Sequence, residues 1–345
     1  MPKYYYINST TQIQLPDKPF AEGGEGEIYI ITSPNKFQGY CAKIIFKNQR
    51  SKNKFLKIQH LIKNPPRKIL NTNGIRICWP LHLIYDASKQ PVGFIMPIAY
   101  PQSIQVYELT KPKIRSKYAG LLNKFEKEKN TDALIRRIKI CINIAHAVYL
   151  IHQNNEYVFV DLKPQNILFS PDGKISLVDL DSIQITKNNK VLFFGKVGTP
   201  EYLPPEGFGI DPSKCIVPVS HDHFSLAVIT YQIIVGCHPF SCSTSGAYSH
   251  LSEKHELIKN GLFPFGSRKA YTKPSEMHKN NYNILPQELK NIFLLAFDGS
   301  FYNPKVRPTS NDIGRTLFSL LPQTSQKKKH SWIMKLYYSL INKRN

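Results

Sequence analysis

Three polar side chains stand at fixed intervals in one stretch of this sequence, VFVDLKPQNILFSPDGKISLVDLDS, residues 158–182. Asp161 is followed by Asn166 and then by Asp179. Carboxylate and amide oxygens are ligands that Mg²⁺ prefers, and a carboxylate beside the metal can orient a hydroxyl nucleophile. These residue types therefore suit chemistry on a magnesium-bound phosphate.

Two short apolar runs, 167–169 and 175–178, predict strands that would carry these groups. The residues between the strands are good turn formers: Ser170, Pro171, Asp172 and Gly173. A hairpin of this length would return Asp179 to the end where Asn166 and Asp161 stand. By itself the stretch is equally compatible with a solvated surface hairpin. A calcium loop does not fit, because apolar residues stand where that motif needs acidic or amide side chains.

A glycine cluster and a lysine inside an apolar strand precede this stretch. The strand is YCAKIIF, residues 40–46, and it contains Lys43. An unpaired charge inside a strand core is costly, so Lys43 needs an anionic partner. Glycine lets the backbone approach a ligand closely, with its N–H groups facing phosphate oxygens. The glycines of the cluster are Gly23, Gly24 and Gly26.

Length and composition predict a globular protein that is long enough for two lobes and carries a strongly basic surface. The chain has 345 residues, of which 41% are hydrophobic and 12% aromatic. This is enough for two lobes with a core between them. Forty-six Lys and Arg against twenty-four Asp and Glu give a formal charge of +22. Such a charge favours nucleic acid, anionic lipid, polyphosphates or acidic proteins, although a merely solubilising basic surface is an alternative.

The order of these features resembles the signature set of protein kinases. The segment GTPEYLPPE at 198–206 adds to it. Over roughly residues 18–322, the chain resembles a eukaryotic-like Ser/Thr protein kinase catalytic domain. This implies an α+β, bilobal protein-kinase-like fold, with a small N-lobe antiparallel sheet plus one helix and a larger, mainly helical C-lobe. The implied domains are an N-lobe over 1–98, a C-lobe over 99–322 and a basic amphipathic tail over 323–345.

The resemblance also implies the roles of the site residues and the use of ATP with Mg²⁺ or Mn²⁺. Asp161 matches the catalytic base and Lys163 the lysine on the transferred phosphate. Asn166 and Asp179 match the metal ligands. Lys163, two places after the aspartate, is typical of Ser/Thr rather than Tyr kinases. The implied nucleotide-binding residues are Gly23, Gly24, Gly26, Ile28, Ala42, Lys43, Met96 and Leu168.

Individual positions within these assignments have specific roles in the family. Ile28 and Ala42 would cover the adenine, and Met96 would be the gatekeeper. Further along, the family pairs the glutamate of the GTPEYLPPE segment, Glu206, with a late arginine, here Arg307. Asp222 resembles the aspartate that anchors the backbone of the catalytic loop.

Three departures from the family pattern bear on activity. Residues 48–63 should supply a glutamate to pair with Lys43, and they contain none. Val160 replaces an arginine that often holds a phosphorylated activation loop, which argues against control by loop phosphorylation. Asp181 stands where glycine is expected. The sequence thus predicts a Ser/Thr protein kinase controlled at the acid-free helix. A pseudokinase or nucleotide-binding scaffold, and a small-molecule phosphotransferase of the same fold, are the alternatives.

Four short motifs resemble one bacterial branch of the family: NPP at 64–66, WPL at 79–81, GFIMP at 93–97 and DLDS at 179–182. Members of this branch include kinases encoded beside von Willebrand-type proteins and metal-dependent phosphatases. Others are fused to helix-hairpin-helix modules, and the sequence contains no such module.

Partners and location are also expectations from the sequence. The basic N-lobe helix and the tail 323–345, an amphipathic stripe flanked by lysines, suit an acidic protein, a polyanion or an anionic membrane. Packing of the tail on the C-lobe explains its stripe equally well, and specific nucleic-acid binding is not indicated. Six scattered cysteines and an N-terminus without an apolar run predict a cytoplasmic protein. Peripheral membrane attachment through the tail would be compatible with that location.

Overall fold

The computed structural model describes residues 1–7, 11–66, 74–111, 118, 120, 123–125, 131–153, 156–196 and 198–321. The chain forms two compact units. The N-terminal unit contains Met1–Pro101 together with Ser176–Asp181. The C-terminal unit contains Gln102–Ile175 and the chain from Ser182 onward. The predicted tail, 323–345, lies outside the described residues.

The N-terminal unit is built on an antiparallel sheet with strand order β2-β1-β7-β8-β5-β4-β3. Runs of β-branched and aromatic residues form these strands, as their preference for a pleated, half-buried surface predicts. The strands are β1 Lys3–Tyr6, β2 Gln12–Leu15, β3 Ala21–Gly23, β4 Gly26–Ile30, β5 Tyr40–Ile45, β6 Ile75–Ile77, β7 His82–Tyr85 and β8 Pro91–Pro97. Strand β6 lies outside this sheet. Directly after β6, Cys78 N donates a hydrogen bond to Leu177 O.

Strand β5 has a different core on each of its faces, because side chains alternate along a strand. Ala42 and Ile44 belong to one core, which includes Tyr29. Cys41 and Ile45 belong to a second core on the other face. Lys43 alternates with Cys41 and Ile45 and therefore shares their face.

Helix α1, Lys52–Lys63, packs on the face of the sheet that carries Lys43. Its N-cap is Ser51, whose hydroxyl oxygen accepts a hydrogen bond from Lys54 N. Phe55 and Ile58 enter the second core, with Leu61 also buried. The remaining buried residue of the helix is Lys57, so this face brings a cation as well as apolar groups toward the sheet.

The C-terminal unit is mainly helical. Helix α3 is buried at every position from His221 to Val235, as an apolar helix surrounded by others must be. The helices are α2 Thr131–His152, α3 Ser220–Val235, α4 Lys254–Lys259, α5 Glu276–Asn283, α6 Gln287–Leu294 and α7 Ser310–Ser319. In the part of the chain that the structure describes, no helix is both long and apolar enough to span a membrane.

Short strands between residues 104 and 274 complete the fold, and β10, β13 and β14 form a small antiparallel sheet. The strands are β9 Ile104–Gln105, β10 Tyr157–Val158, β11 Ile167–Phe169, β12 Ile175–Leu177, β13 Gln184–Lys187, β14 Lys190–Phe193, β15 Cys242–Thr244 and β16 Thr272–Pro274. The two predicted strands around the SPDG turn are present as β11 and β12. The turn is closed by a 2.9 Å bond from Ser170 N to Lys174 O.

The fold class predicted from the sequence is confirmed. An antiparallel sheet with helix α1 forms the smaller unit, and a mainly helical unit forms the larger one. All six cysteines belong to the described residues, and none of them forms a disulfide bond.

The close approach of β4 to β5 predicts that Gly26 cannot be replaced. An ideal Cβ at Gly26 would lie 2.3 Å from Ile44 O, which is backbone and cannot move aside. We expect Gly26→Ala to destabilise the protein by about 2–3 kcal/mol, as overpacking does elsewhere. Gly24→Ala is the matched control, because no described atom lies within 4 Å of its ideal Cβ. Urea unfolding that gives both variants the same stability would contradict this account.

Candidate active site

The N-terminal half of the candidate site is centred on the buried ammonium of Lys43. Its Nζ lies 2.8 Å from Asp179 Oδ1 and 2.7 Å from Asp181 Oδ1. Burial lowers the pKa of Lys43, but the carboxylates of Asp181 and Asp179 outweigh burial and raise this pKa above its ordinary value. The anionic partner that the sequence requires for Lys43 is therefore a pair of carboxylates.

The two carboxylates differ in access. The side chain of Asp179 is 45% exposed, whereas that of Asp181 is 1% exposed. Asp179 also has a φ of 63°, a left-handed conformation that costs a non-glycine residue on the order of 1–3 kcal/mol. Such strain is typical of functional positions. A ligand can reach Asp179, while Asp181 is enclosed by the protein.

Helix α1 presents lysines where the family places a glutamate. Lys54 Nζ lies 2.6 Å from Glu25 Oε2, and Glu25 stands in the turn between β3 and β4. Lys57 is buried, and burial lowers its pKa to about 8, although Asp181 opposes this shift. Burial raises the pKa of Asp181, but Lys43 and then Lys54 bring it below the ordinary value. The helix thus adds positive charge around a buried carboxylate.

The predicted glycine loop is a tight hairpin of β3 and β4. Gly23 pairs with Gly26, which leaves Gly24 and Glu25 at the turn. The carbonyl of Glu25 accepts a hydrogen bond from Phe46 N at 2.9 Å. Backbone N–H groups at such a turn are suited to phosphate oxygens. The role of these glycines in nucleotide binding stays a prediction.

One predicted nucleotide residue requires correction. Ile28 and Met96 pack in the second core, on the face of the sheet that carries Lys43. Ala42 lies in the first core, on the opposite face. A residue that covers the adenine must share the face with Lys43, so the prediction for Ala42 is wrong. Strand alternation puts Cys41 on that face instead, and burial raises the pKa of its thiol to about 12.

The C-terminal half of the candidate site is organised around the carboxylate of Asp161. Its Oδ1 accepts hydrogen bonds from Thr199 N at 2.9 Å and Thr199 Oγ1 at 2.7 Å. Its Oδ2 lies 2.5 Å from Lys163 Nζ. Lys163 Nζ also donates to Thr199 Oγ1 at 3.1 Å. Both carboxylate oxygens are therefore oriented by named donors.

Asn166 and Leu168 follow Asp161 in this half. Asn166 Nδ2 donates to the backbone oxygen of Asp161 at 3.0 Å, so the amide oxygen is the atom left for a metal. Leu168 lies on β11, half-buried and paired with Gln105. Asn166 and Asp179 belong to different units, so their predicted convergence stays a prediction.

The donor types of Asn166 and Asp179, each taken by itself, suit a metal shared with phosphate. Asn166 offers an oriented amide oxygen, and Asp179 offers an accessible carboxylate. Among the described residues, no group of three or more His, Cys, Asp and Glu side chains could hold a metal by itself. Mg²⁺ bound through one or two protein ligands plus substrate phosphates needs no such group.

Asp222 fixes the backbone that carries Asp161, as predicted. It accepts hydrogen bonds from Phe159 N at 2.8 Å and Val160 N at 3.1 Å. His152 Nε2 lies 2.8 Å from the same carboxylate. This buried network holds Val160 at a φ of 66°, which is unfavourable for a β-branched residue.

Val160 makes an apolar contact with the segment that follows β14. It lies in a core cluster with Val158 and Val217. An ideal Cβ at Gly198 would approach Val160 O to 2.8 Å, so the segment passes directly over this residue. Val160, which stands where the family often has an arginine, is thus held by apolar packing.

The predicted pair of Glu206 and Arg307 is also confirmed. Arg307 Nη1 and Nη2 donate to the two carboxylate oxygens of Glu206 at 2.7 and 3.0 Å. Arg307 also donates to Ser220 O and Ser300 Oγ. This bidentate pair joins the segment after β14 to the end of the domain.

Sequence reasoning missed two functional side chains. Thr199 was visible as part of GTPEYLPPE, but its contacts with Asp161 and Lys163 depend on the folded loop. Asp181 was noted only as a departure from glycine. The available signal was a lysine inside an apolar strand that faces a helix without acidic residues. Such a lysine needs a carboxylate from elsewhere in the chain.

Comparison with known families identifies the class of protein. The protein kinase domain family matches residues 104–319, which is more than half of the chain. The chain therefore belongs to the protein kinase family. The match begins after the glycine loop and Lys43, so the assignment of these residues rests on their order and geometry.

Relatives with shorter matches include serine/threonine kinases. The chain is 36% identical to serine/threonine-protein kinase 17A of Oryctolagus cuniculus over 33% of this chain and 26% of that protein. It is 29% identical to citron Rho-interacting kinase of Mus musculus over 47% of this chain and 8% of that protein. Aurora kinase B of Drosophila melanogaster is 36% identical over 34% of this chain and 33% of its own length. The matched region thus spans a third or less of each relative.

The buried ammonium of Lys57 predicts a stability effect that depends on pH. Burial holds its pKa at about 8, below the ordinary value of 10.5. Between these pH values the unfolded chain binds more protons than the folded one, so this group's contribution to stability rises with pH. At pH 7 the charged side chain opposes folding by up to about 3 kcal/mol. We therefore expect Lys57→Met to be more stable than the natural protein at pH 7, by an amount that shrinks toward pH 10.

Urea unfolding of both proteins at several pH values measures this difference. Lys52→Met is the matched control, because Lys52 is on the same helix and exposed. Its difference from the natural protein should stay constant with pH. A Lys57→Met difference that stays constant or grows with pH would contradict the buried-cation account.

Proposed function

We propose that the protein is an ATP- and magnesium-dependent serine/threonine protein kinase, with Mn²⁺ as a possible substitute for Mg²⁺. The observation that carries this proposal is the Asp161 carboxylate, oriented by Thr199 and Lys163. Positioning and charge neutralisation are the main tasks of a phosphoryl-transfer enzyme. The two half-sites supply groups for both tasks.

Each residue has a role in this mechanism. Asp161 orients the substrate hydroxyl and accepts its proton, while Lys163 neutralises charge on the transferred phosphoryl group. Lys43 binds the α- and β-phosphates. Asn166 and Asp179 would hold the divalent metal, which when bound neutralises negative charge on the phosphates. Ile28, Cys41 and Met96 supply the apolar surface on the face of Lys43, and Leu168 that of the C-terminal half.

Specificity for serine and threonine in proteins is supported by the loop that carries Thr199. The hydroxyl of Thr199 bridges Asp161 and Lys163, and Glu206 in the same segment is held by Arg307. A positioned segment of this kind suits an extended peptide. It favours a protein substrate over a small-molecule substrate.

The pseudokinase alternative rested on the missing glutamate of helix α1. Lys43 contacts two carboxylates at hydrogen-bond distance, so its charge is balanced without that glutamate. Loop phosphorylation is also not required in this proposal, because apolar packing at Val160 supports the segment after β14. We therefore favour an active enzyme.

We also infer the bacterial branch of the family, on the four short motifs NPP, WPL, GFIMP and DLDS. The expected partners are a protein substrate with serine or threonine, and an acidic protein, polyanion or anionic membrane for the basic surfaces. Cysteine usage supports a cytoplasmic location.

Transfer of labelled phosphate from ATP to a generic serine- and threonine-containing protein tests the proposal. We expect incorporation into serine or threonine that depends on Mg²⁺ and falls by about 10²-fold or more in Asp161→Asn. Asp179→Asn should fall as well. If the natural protein transfers no more than these two variants, the enzyme proposal is wrong.

The bridge made by Thr199 predicts a separate effect on turnover. Thr199→Val removes both hydroxyl contacts, with Asp161 and with Lys163, but keeps the backbone donor. We expect kcat to fall on the order of 10²-fold, as for a misplaced catalytic group, with little change in KM for ATP. Thr199→Ser should keep most activity. Equal kcat values for the valine and serine variants would show that the hydroxyl has no role.

A further inference from the structure

We propose that Asp181 is the fixed carboxylate partner of Lys43, in the positioning role that protein kinases give to a helix glutamate. This inference concerns the ion pair itself, and only its effect on catalysis rests on the proposed function. In protein kinases the strand lysine must be paired for phosphoryl transfer. Here the partner lies two residues after the candidate metal ligand rather than on helix α1.

The different exposure of the two carboxylates separates their roles. Asp179 is accessible, and its carboxylate is needed for the metal in the proposed reaction. Asp181 is 1% exposed and contacts Lys43 at 2.7 Å. A ligand that draws Asp179 away from Lys43 leaves Asp181 in place. Lys43 therefore keeps one carboxylate partner throughout.

The charges around Asp181 support an exchange of charge between helix α1 and the segment that carries Asp179, relative to the family pattern. Its Oδ1 faces Lys43, and the charges of Lys54 and Lys57 also act on this carboxylate. Within the described part of the chain, its Oδ2 is buried and has no hydrogen-bond partner. Helix α1 contains no acidic residue, so it surrounds this anion with positive charge. Compared with the family pattern, the carboxylate that pairs with the strand lysine lies in the segment of Asp179 instead of the helix. The helix carries the positive charge.

This arrangement has a consequence for control. When the partner is a helix glutamate, displacement of the helix breaks the pair. With Asp181 as partner, the position of Lys43 is linked to the segment that carries Asp179. The alignment of the lysine then depends on that segment and not on helix α1, contrary to the expectation that the acid-free helix is the point of control.

The first test needs neither nucleotide nor activity. The free energy of unfolding is measured in urea for the natural protein, for Asp181→Asn, for Lys43→Met and for the variant with both changes. We expect Asp181→Asn to lose clearly less stability in the Lys43→Met background, because the changed side chain then no longer faces a buried ammonium. Asp86→Asn is the matched control, because Asp86 is a surface turn residue and its effect should be the same in both backgrounds. Equal losses for Asp181→Asn in both backgrounds would overturn the pairing.

The second test moves the carboxylate back to the helix. We expect Asp181→Asn to lower kcat at least tenfold and to raise KM for ATP. Adding Lys57→Glu to Asp181→Asn should recover a substantial part of kcat, whereas adding it to Asp179→Asn should recover none. Coupling between Lys43 and Asp181 in the unfolding measurements, with unchanged kcat and KM, would confine Asp181 to a structural role and overturn the positioning proposal. If kcat falls but Lys57→Glu recovers none of it, the inferred exchange of charge between helix α1 and the segment that carries Asp179 is wrong.

Two further results keep the tests independent. If the natural protein shows no transfer, the proposed kinase function fails, while the unfolding measurements still decide the ion pair. If Asp181→Asn does not fold, the double variant Lys43→Met/Asp181→Asn should fold better than it, because the buried cation that has lost its enclosed carboxylate partner is gone. A double variant no more stable than Asp181→Asn would count against the pair.

Discussion

A buried ammonium between two carboxylates is the interaction on which the N-terminal unit depends. Lys43 stands inside an apolar strand, where an unpaired charge would be too costly to keep. Its ammonium lies on the face of β5 that meets helix α1 and contacts both Asp179 and Asp181. The segment Ser176–Asp181 belongs to the N-terminal unit although the chain has by then entered the C-terminal unit. The ion pairs of Lys43 contribute to holding this segment there.

The C-terminal unit orients one carboxylate, that of Asp161, and leaves it able to act as a base. Asp161 receives donors from Thr199 and Lys163, and its loop is held from below by Asp222. Lys163 is only two residues from Asp161, whereas Thr199 and Asp222 come from distant parts of the chain. A packed helical scaffold brings them to a loop whose own backbone is strained at Val160.

Local sequence patterns predicted much of this structure. The spacing of Asp161, Asn166 and Asp179, the turn at Ser170 and the lysine in β5 were readable because they depend on residue type and short-range order. The prediction for Ala42 was wrong because side chains alternate along a strand, so that Cys41, two residues before Lys43, shares its face and Ala42 does not. Thr199 and Asp181 could not be assigned their contacts, since those partners lie far away in sequence. Only the folded chain shows which of several nearby carboxylates is enclosed and which is accessible.

The ion pair between Glu25 and Lys54 connects the tip of the glycine hairpin to helix α1. A hairpin of glycines is normally the most compliant part of a nucleotide site. Here an ion pair joins its tip to helix α1. Lifting the tip therefore requires either breaking this partly buried ion pair or tilting the helix with it. In the proposed kinase, the entry and departure of a nucleotide beneath this hairpin would then share one energetic barrier with helix movement. Helix α1, which has no acidic residue to pair with Lys43, would thereby influence the rate at which the site opens.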